Sequence, residues 1–213
     1  MTPQQQFIEY AITQNALQFG SFTLKSGRVS PYFYNARLFN TGLALAKLGA
    51  LYAETILQDN IEFDMLFGPA YAGIPLVCAT AMGLAERGHN VPFCFNRKEP
   101  KDHGEGGQLV GAPLQGKVLV IDDVITAGTA FLESLTLLEA HQATPAGLVI
   151  QFDRQEKVQG SQSAIQEIEQ SLKIPVLSMV TLADVLAYLI ASKEHAEQIA
   201  AIETYRQAYG VES

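Results

Sequence analysis

Five short, almost uninterrupted apolar runs constrain the fold of this 213-residue chain more than any other feature. They are Phe63–Phe67, Val91–Phe95, Val118–Ile121, Gly147–Phe152 and Val176–Val180, and helical spacing falls at Ile74–Arg87, Ala127–His141 and Ala164–Leu172. A strand without polar alternation must be covered on both faces. That requirement, with helices between strands, predicts an α/β fold built on a central parallel sheet flanked by helices. Helical period also marks Gln5–Gln18 and Leu43–Leu57, and the tail from Leu182 to Tyr209 reads as two further helices. Gly20–Asn40 is aromatic and irregular, punctuated by Gly27 and Pro31. No repeat, low-complexity tract or linker divides the chain, which reads as a single domain over 1–213.

With 48% apolar and 17% charged residues, the chain is not a disordered one. A net charge of −8 speaks against nucleic acid and anionic membrane as partners, because both are gripped by clustered Lys and Arg. It does not exclude a small anion in a locally basic pocket. Cys78 and Cys94 lie in apolar surroundings, and Met1–Gln6 has no basic or apolar export signal, so the expected location is cytoplasmic with both thiols reduced. Met65–Ala85 is free of charge over a membrane-spanning length, but Gly68, Pro69, Gly73 and Pro75 break it into a strand, a tight loop and a buried helix.

The chemistry concentrates in Lys117-Val-Leu-Val-Ile-Asp-Asp-Val-Ile-Thr-Ala-Gly-Thr129. Asp122 and Asp123 leave the C-terminal end of a buried strand, where open α/β sheets bind ligands. Thr126, Gly128 and Thr129 then open a helix whose backbone N–H groups, with the hydroxyls, suit a phosphate monoester. No Gly-Lys-Ser/Thr and no Gly-x-Gly-x-x-Gly is present, which excludes a triphosphate loop and a dinucleotide fingerprint. Paired acids beside a phosphate cradle fit a sugar phosphate and can face positive charge at an anomeric carbon. An isolated Asp-Asp would more often be an ordinary strand end with an Asx turn.

This string resembles the phosphoribosyl-diphosphate (PRPP) motif of type I phosphoribosyltransferases. Three further segments narrow the resemblance to the bacterial orotate phosphoribosyltransferases: Phe22–Arg28 with Ser30–Asn35, Phe67–Pro75, and Phe95–Gly107. The likeness covers about residues 6–210. It implies the type I fold with a small N-terminal hood from 1–40, a core of sheet and helices over 61–180, and a mobile catalytic loop over 97–111. It also implies transfer of phosphoribose from PRPP to orotate in pyrimidine biosynthesis, giving orotidine 5′-phosphate and pyrophosphate. Mg²⁺ is the implied cofactor, carried by PRPP oxygens and water, and no metal ligand is named in the chain. The implied assembly is a homodimer in which the loop closes over the neighbouring site.

The segment Asn96–Gly111 carries Gly104, Gly106, Gly107 and Gly111 among mixed charges, the composition of a loop that orders over a ligand. Its basic residues Arg97, Lys98, Lys101 and His103 suit pyrophosphate, whose charge grows as the C1′–O bond breaks. Lys101 and His103 are read as catalytic contacts of the leaving group, His103 also for proton transfer, beside Asp122 and Asp123. The PRPP set implied by the resemblance adds Lys25, Tyr71, Ala72, Val124, Ile125, Thr126, Ala127, Gly128, Thr129 and Ala130. The orotate set is Lys25, Phe33, Tyr34, Thr126 and Arg154: an aromatic wall for a flat ring and a guanidinium for its carboxylate. Without the resemblance, Tyr32–Tyr34 would be read as hood core and Arg154 as an ion pair with Asp153 or Glu156. His89, His141 and His195 have no ligand-like spacing and are expected at the surface.

At Ala72 the chain departs from the family's Gly-Pro-Ala-Tyr-Lys-Gly, whose lysine meets pyrophosphate. A backbone contact can survive there and a side-chain contact cannot, so PRPP binding is expected to weaken and Ala72→Lys to tighten it. Arg37, where a small residue is usual, is a second departure. A PRPP-sensing regulator would need a basic face or a helix-turn-helix, and neither is visible. A purine phosphoribosyltransferase fits the Phe33, Tyr34 and Arg154 set less well than an enzyme for an anionic pyrimidine.

Overall fold

The computed structural model describes residues 1–101, 107–125, 128–158, 160–192 and 195–211, without the side chains of Pro100 and Lys101. The N-terminal helix α1 (Pro3–Thr13) is started by Thr2, which shares a capping box with Gln5, and by Pro3 in the first turn. It stops five residues before the sequence period suggested, at Thr13 rather than Gln18. Asn15 turns left-handed at φ 56°, and Leu17 then begins a strand.

The stretch expected to be irregular, Gly20–Asn40, contains most of a hairpin. Strands β1 (Leu17–Thr23) and β2 (Val29–Tyr34) pair antiparallel, with Leu17 opposite Tyr34 and Phe19 opposite Tyr32. The period-2 signal was hidden because a register shift between Phe19 and Phe22 interrupts the alternation. A short 3₁₀ turn, Ala36–Leu38, leads to α2 (Gly42–Asp59).

The main sheet has the order β5-β4-β3-β6-β7-β8. Its strands are β3 (Met65–Gly68), β4 (Phe93–Lys101), β5 (Gly107–Gly111), β6 (Lys117–Ile121), β7 (Thr144–Asp153) and β8 (Val176–Thr181). All neighbours are parallel except β4 and β5. Helices α3 (Gly73–Glu86), α4 (Thr129–Ala140), α5 (Ala164–Leu172), α6 (Leu182–Ser192) and α7 (Ala196–Tyr209) complete the chain. The five apolar runs are thus strands, and the central ones are inaccessible on both faces: Leu66, Phe67, Val118–Ile121 and Leu148–Ile150 are fully buried. Their alternate side chains feed two cores, one under α1, α2, α3 and α6 and the other under α4 and α5.

Within the segment 97–111, Arg97–Lys101 continues β4 and Gly107–Gly111 forms β5, with Asn96 opposite Leu109 and Lys101 opposite Gly107. Gly107 and Gly111 sit at the two ends of the edge strand β5. Residues 102–106, including His103, lie outside the described residues.

Candidate active site

Helix and loop starts converge where β3, β6 and β7 end, which is the carboxyl edge of the sheet. Asp122 and Asp123 follow β6 directly. Asp122 is 8% exposed, and its carboxylate accepts the Asp123 backbone N–H at 2.9 Å. Its backbone carbonyl accepts the Tyr52 hydroxyl at 2.6 Å, which ties the shoulder to α2. Asp123 Oδ1 in turn accepts the Val124 N–H at 2.8 Å. Burial, reinforced by the neighbouring Asp123 charge, pushes the Asp122 carboxyl up to about 7. Burial also raises Asp123, against the pull of its backbone hydrogen bonds and of the Arg37 guanidinium. Two buried acids side by side favour ligands that donate hydrogen bonds or carry positive charge.

Val124 and Ile125 are half-buried beyond the acids, and Thr126 and Ala127 lie outside the described residues. Gly128 stands at φ 71° immediately before α4, a left-handed conformation that glycine adopts without strain. Thr129 is exposed and Ala130 half-buried in the first turn. The expected start at Ala127 is therefore two residues early: the described helix begins at Thr129.

Across the sheet, β3 turns tightly through Pro69–Ala72 into α3. A Cβ on Gly73 would lie 2.5 Å from Pro69 Cδ and 2.8 Å from the Ile121 carbonyl oxygen, so this turn seats directly against the residue preceding Asp122. Gly73→Ala is accordingly expected to lower stability by ~1–3 kcal/mol through overpacking, a fall in Tm of roughly 2–10 °C for a chain of this size. Calorimetry on the two proteins checks it, and an unchanged Tm would show that the turn yields freely. Asn96, buried at the end of the β4 core, accepts the Ala70 N–H at 2.7 Å and holds the same turn from the other side. Tyr71 and Ala72 are exposed there.

The hood residues are less uniform than the sequence suggested. Phe33 and Tyr34 are neighbours on a strand, so they face opposite ways and do not form one wall. Phe33 is 37% exposed and stacks on Phe22 at 5.5 Å. Tyr34 turns inward onto Phe152 at 5.2 Å and donates its hydroxyl to Gln151 Oε1. Burial, with Asp123 nearby, holds its phenol well above the usual range. Tyr32 is fully buried hood core. Lys25 lies exposed in the hairpin turn.

Arg154 follows β7 and is oriented from three sides. Its Nε donates to Glu156 Oε1 at 2.8 Å, its Nη2 lies 2.6 Å from the same oxygen and 3.2 Å from Ser30 Oγ, and its guanidinium stacks over Tyr32 at 4.3 Å. Of the two ion-pair partners named from sequence, Glu156 is the one used. Glu156 also accepts from Tyr32 and Tyr205 hydroxyls at 2.9 and 3.1 Å.

The basic residues of the β4–β5 hairpin are partly engaged. Arg97 donates to the Gly107 carbonyl at 3.1 Å, and Lys98 pairs with Glu133 on α4 at 2.8 Å. Both contacts are at the surface and are weak enough to exchange for a ligand. The Lys101 side chain and His103 are outside the described residues. His89 and His141 are exposed as expected, but His195 is half-buried with its ring 6.2 Å from Phe19. Cys94 is buried and Cys78 half-buried, and both are free.

Gln151, Tyr52 and Asn96 were not singled out in the sequence. Gln151 alone carried a signal, a polar residue inside the otherwise apolar Leu148–Phe152 run. Tyr52 and Asn96 act through contacts with residues 70 and 26 positions away, which no local pattern encodes.

A parallel sheet whose β6 ends in two acids and a glycine-led helix start is the architecture of a phosphoribosyl-group-transferring class. The family model described as a phosphoribosyl transferase domain matches residues 35–173. The orotate phosphoribosyltransferases of Cronobacter sakazakii and Yersinia enterocolitica are each 57% identical over 98% of this chain and 98% of their own. A crystal structure of the orotate phosphoribosyltransferase of Francisella tularensis superposes with a TM-score of 0.89 at 46% identity, over 96% of this chain and 99% of that one. The chain belongs to the phosphoribosyltransferase family, among the orotate phosphoribosyltransferases.

Proposed function

We propose that the chain transfers the 5-phosphoribosyl group of PRPP to orotate, forming orotidine 5′-phosphate and pyrophosphate, as a cytoplasmic step of pyrimidine biosynthesis. The observation that carries this reading is the placing of Arg154, backed by Glu156 and Tyr32, one strand from the Asp122–Asp123 shoulder. A carboxylate-bearing base and a ribose phosphate can thereby meet at one sheet edge.

Asp122 and Asp123 accept the ribose hydroxyls and, ionised, face the positive charge that develops at C1′ as the diphosphate departs. The segment from Thr126 to Ala130 holds the 5′-phosphate through backbone N–H groups and the two threonine hydroxyls. Val124 and Ile125 form the near wall of that loop. Phe33 offers an aromatic face to the base, Tyr34 supports it from the interior, and Arg154 takes the orotate carboxylate. Lys25 and Thr126 reach both substrates. Tyr71 and Ala72 present backbone to the diphosphate, while Arg97, Lys98, Lys101 and His103 bring charge to it, with His103 moving the proton.

Among the described residues no group of three or more His, Cys, Asp or Glu is gathered to hold a metal. That fits a Mg²⁺ that would be carried by PRPP oxygens and waters rather than by side chains of this chain. Bound with PRPP, the ion neutralises diphosphate charge. The working assembly is a homodimer in which the hairpin containing 97–111 completes the neighbouring site.

The reading is tested by the fall in orotate absorbance on adding PRPP and Mg²⁺, with hypoxanthine, adenine and uracil as competing bases. Turnover with orotate alone is the expected result. Turnover with a purine and none with orotate would replace the substrate assignment.

A further inference from the structure

A cavity of about 470 Å³ opens beside Asp123, and its charged lining is confined to Asp123 and Arg37. Ala72 lies on its wall, and Leu45, Leu48 and Leu76 make much of the remainder apolar. Arg37 is exposed, and among the described residues its guanidinium makes no hydrogen bond and no ion pair. Only its backbone N–H is used, donating to Asn35 Oδ1 at 3.2 Å. The guanidinium nevertheless lies close enough to Asp123 for its charge to act on that carboxyl. Gln151 also lines the cavity, and its Nε2 is buried without a hydrogen-bond partner of ordinary geometry.

The neighbouring turn offers an anion the backbone of Tyr71 and Ala72 but no side-chain charge. The N–H groups of Gly73 and Ile74 already donate to the carbonyls of Pro69 and Tyr71 at 2.9 and 3.3 Å. Ala72 caps α3 without a side-chain hydrogen bond and carries no charge. Any positive charge meeting a diphosphate on this side of the site must therefore come from across the cavity.

We propose that Arg37 binds the diphosphate of PRPP, supplying across the cavity the positive charge that position 72 lacks. The inference rests on the proposed activity and adds a binding residue to it. A guanidinium suits this task because its planar fork meets two phosphoryl oxygens at once. The apolar lining lowers the local dielectric, which strengthens the contact, and the Gln151 amide provides a neutral donor on the same wall.

The test is calorimetric titration of PRPP with Mg²⁺, and separately of orotate, into the wild type, Arg37→Ala, Ala72→Lys and the double variant. Arg37→Ala is expected to weaken PRPP by roughly 10–100-fold, the size of a hydrogen bond to a charged group, and to change orotate affinity less than twofold. Ala72→Lys should restore most of that loss in the Arg37→Ala background and gain markedly less in the wild type, since both cations serve one anion. An unchanged PRPP affinity in Arg37→Ala overturns the proposal, and so do independent effects of the two substitutions. Selective loss of orotate binding overturns it as well, by assigning the guanidinium to the base. Because Arg37 is exposed, circular dichroism of its variants should match the wild type. A wild-type protein that does not turn over orotate defeats the activity instead, whereas a normal wild type with an indifferent Arg37 defeats only this assignment.

Discussion

Replacing Asp122 with asparagine is expected to remove most turnover and, at pH 8, to make the folded chain more stable. Both effects come from the same burial. The carboxyl stands at about 7 in the fold against an ordinary 3.8, first because it is desolvated and second because Asp123 is ionised beside it. A carboxyl raised in this way is bound more tightly as the acid in the folded chain. The stability it contributes is fully present below about pH 4 and is lost as pH rises through about 7. Above that, holding the ionised group in place costs on the order of 4 kcal/mol. Asparagine keeps the oxygen that accepts the Asp123 N–H and carries no charge.

The variant should therefore melt several degrees higher at pH 8, with the difference shrinking toward pH 4. Its kcat should fall by ~10²–10³, the usual loss when one group aimed at transition-state charge is removed. In the wild type kcat/KM should rise with pH through about 7 as Asp122 ionises, and the variant should lack that rise. Thermal melts across pH 4–8 and pH–rate profiles decide it. A Tm difference that does not change with pH, or a variant as active as the wild type, would contradict this account.

The second large effect is expected at Arg154. Its truncation to alanine removes one side of the bond network around Glu156, leaving that half-buried carboxylate with the Tyr32 and Tyr205 hydroxyls and the more distant Arg28 at 3.5 Å. A stability loss of ~1–3 kcal/mol follows, below the cost of breaking a fully buried pair because Arg28 and solvent compensate. Orotate affinity should fall by about 10²-fold, the scale of a lost charge-assisted bidentate contact. PRPP affinity should be nearly unaffected. Arg154→Lys should recover the stability better than the affinity, since an ammonium cannot face Glu156 and a second carboxylate in one plane. Titration of both ligands and a melting curve separate the roles. Lost stability with intact orotate binding would make Arg154 a strut for the hood and nothing more.

Much of this architecture was legible because it is written in local, strong patterns. The central strands β3, β6, β7 and β8 are largely apolar, so their positions could be read to within a few residues without any knowledge of pairing. Asp122, Asp123, Gly128 and Thr129 are contiguous or nearly so, and a contiguous motif survives in sequence form. The hairpin β1–β2 was not legible, because the shift between Phe19 and Phe22 breaks the alternation that identifies a strand. The continuation of β4 past Phe95 and the edge strand β5 were not legible, because charges and glycines mask two segments that pair only with each other. At the aromatic pair, the residue types were visible and their opposite orientations were overlooked, although strand alternation alone separates Phe33 from Tyr34.

The sequence by itself determined the parallel sheet, the place where β6 releases two acids, and the class of ligand that such an edge accepts. These follow from hydrophobic periodicity and from groups adjacent along the chain. Only the tertiary structure decided that Arg154 stacks over Tyr32, that Gln151 meets Tyr34, and that Arg37 and Ala72 share the cavity beside Asp123. Those neighbours are set by how the hood folds back over the ends of β6 and β7. A contact between residues more than thirty positions apart depends on packing, which leaves no period in the chain. The overall charge of −8 gives no hint of it, since charge balance sums over the molecule and binding depends on the few groups brought to one edge.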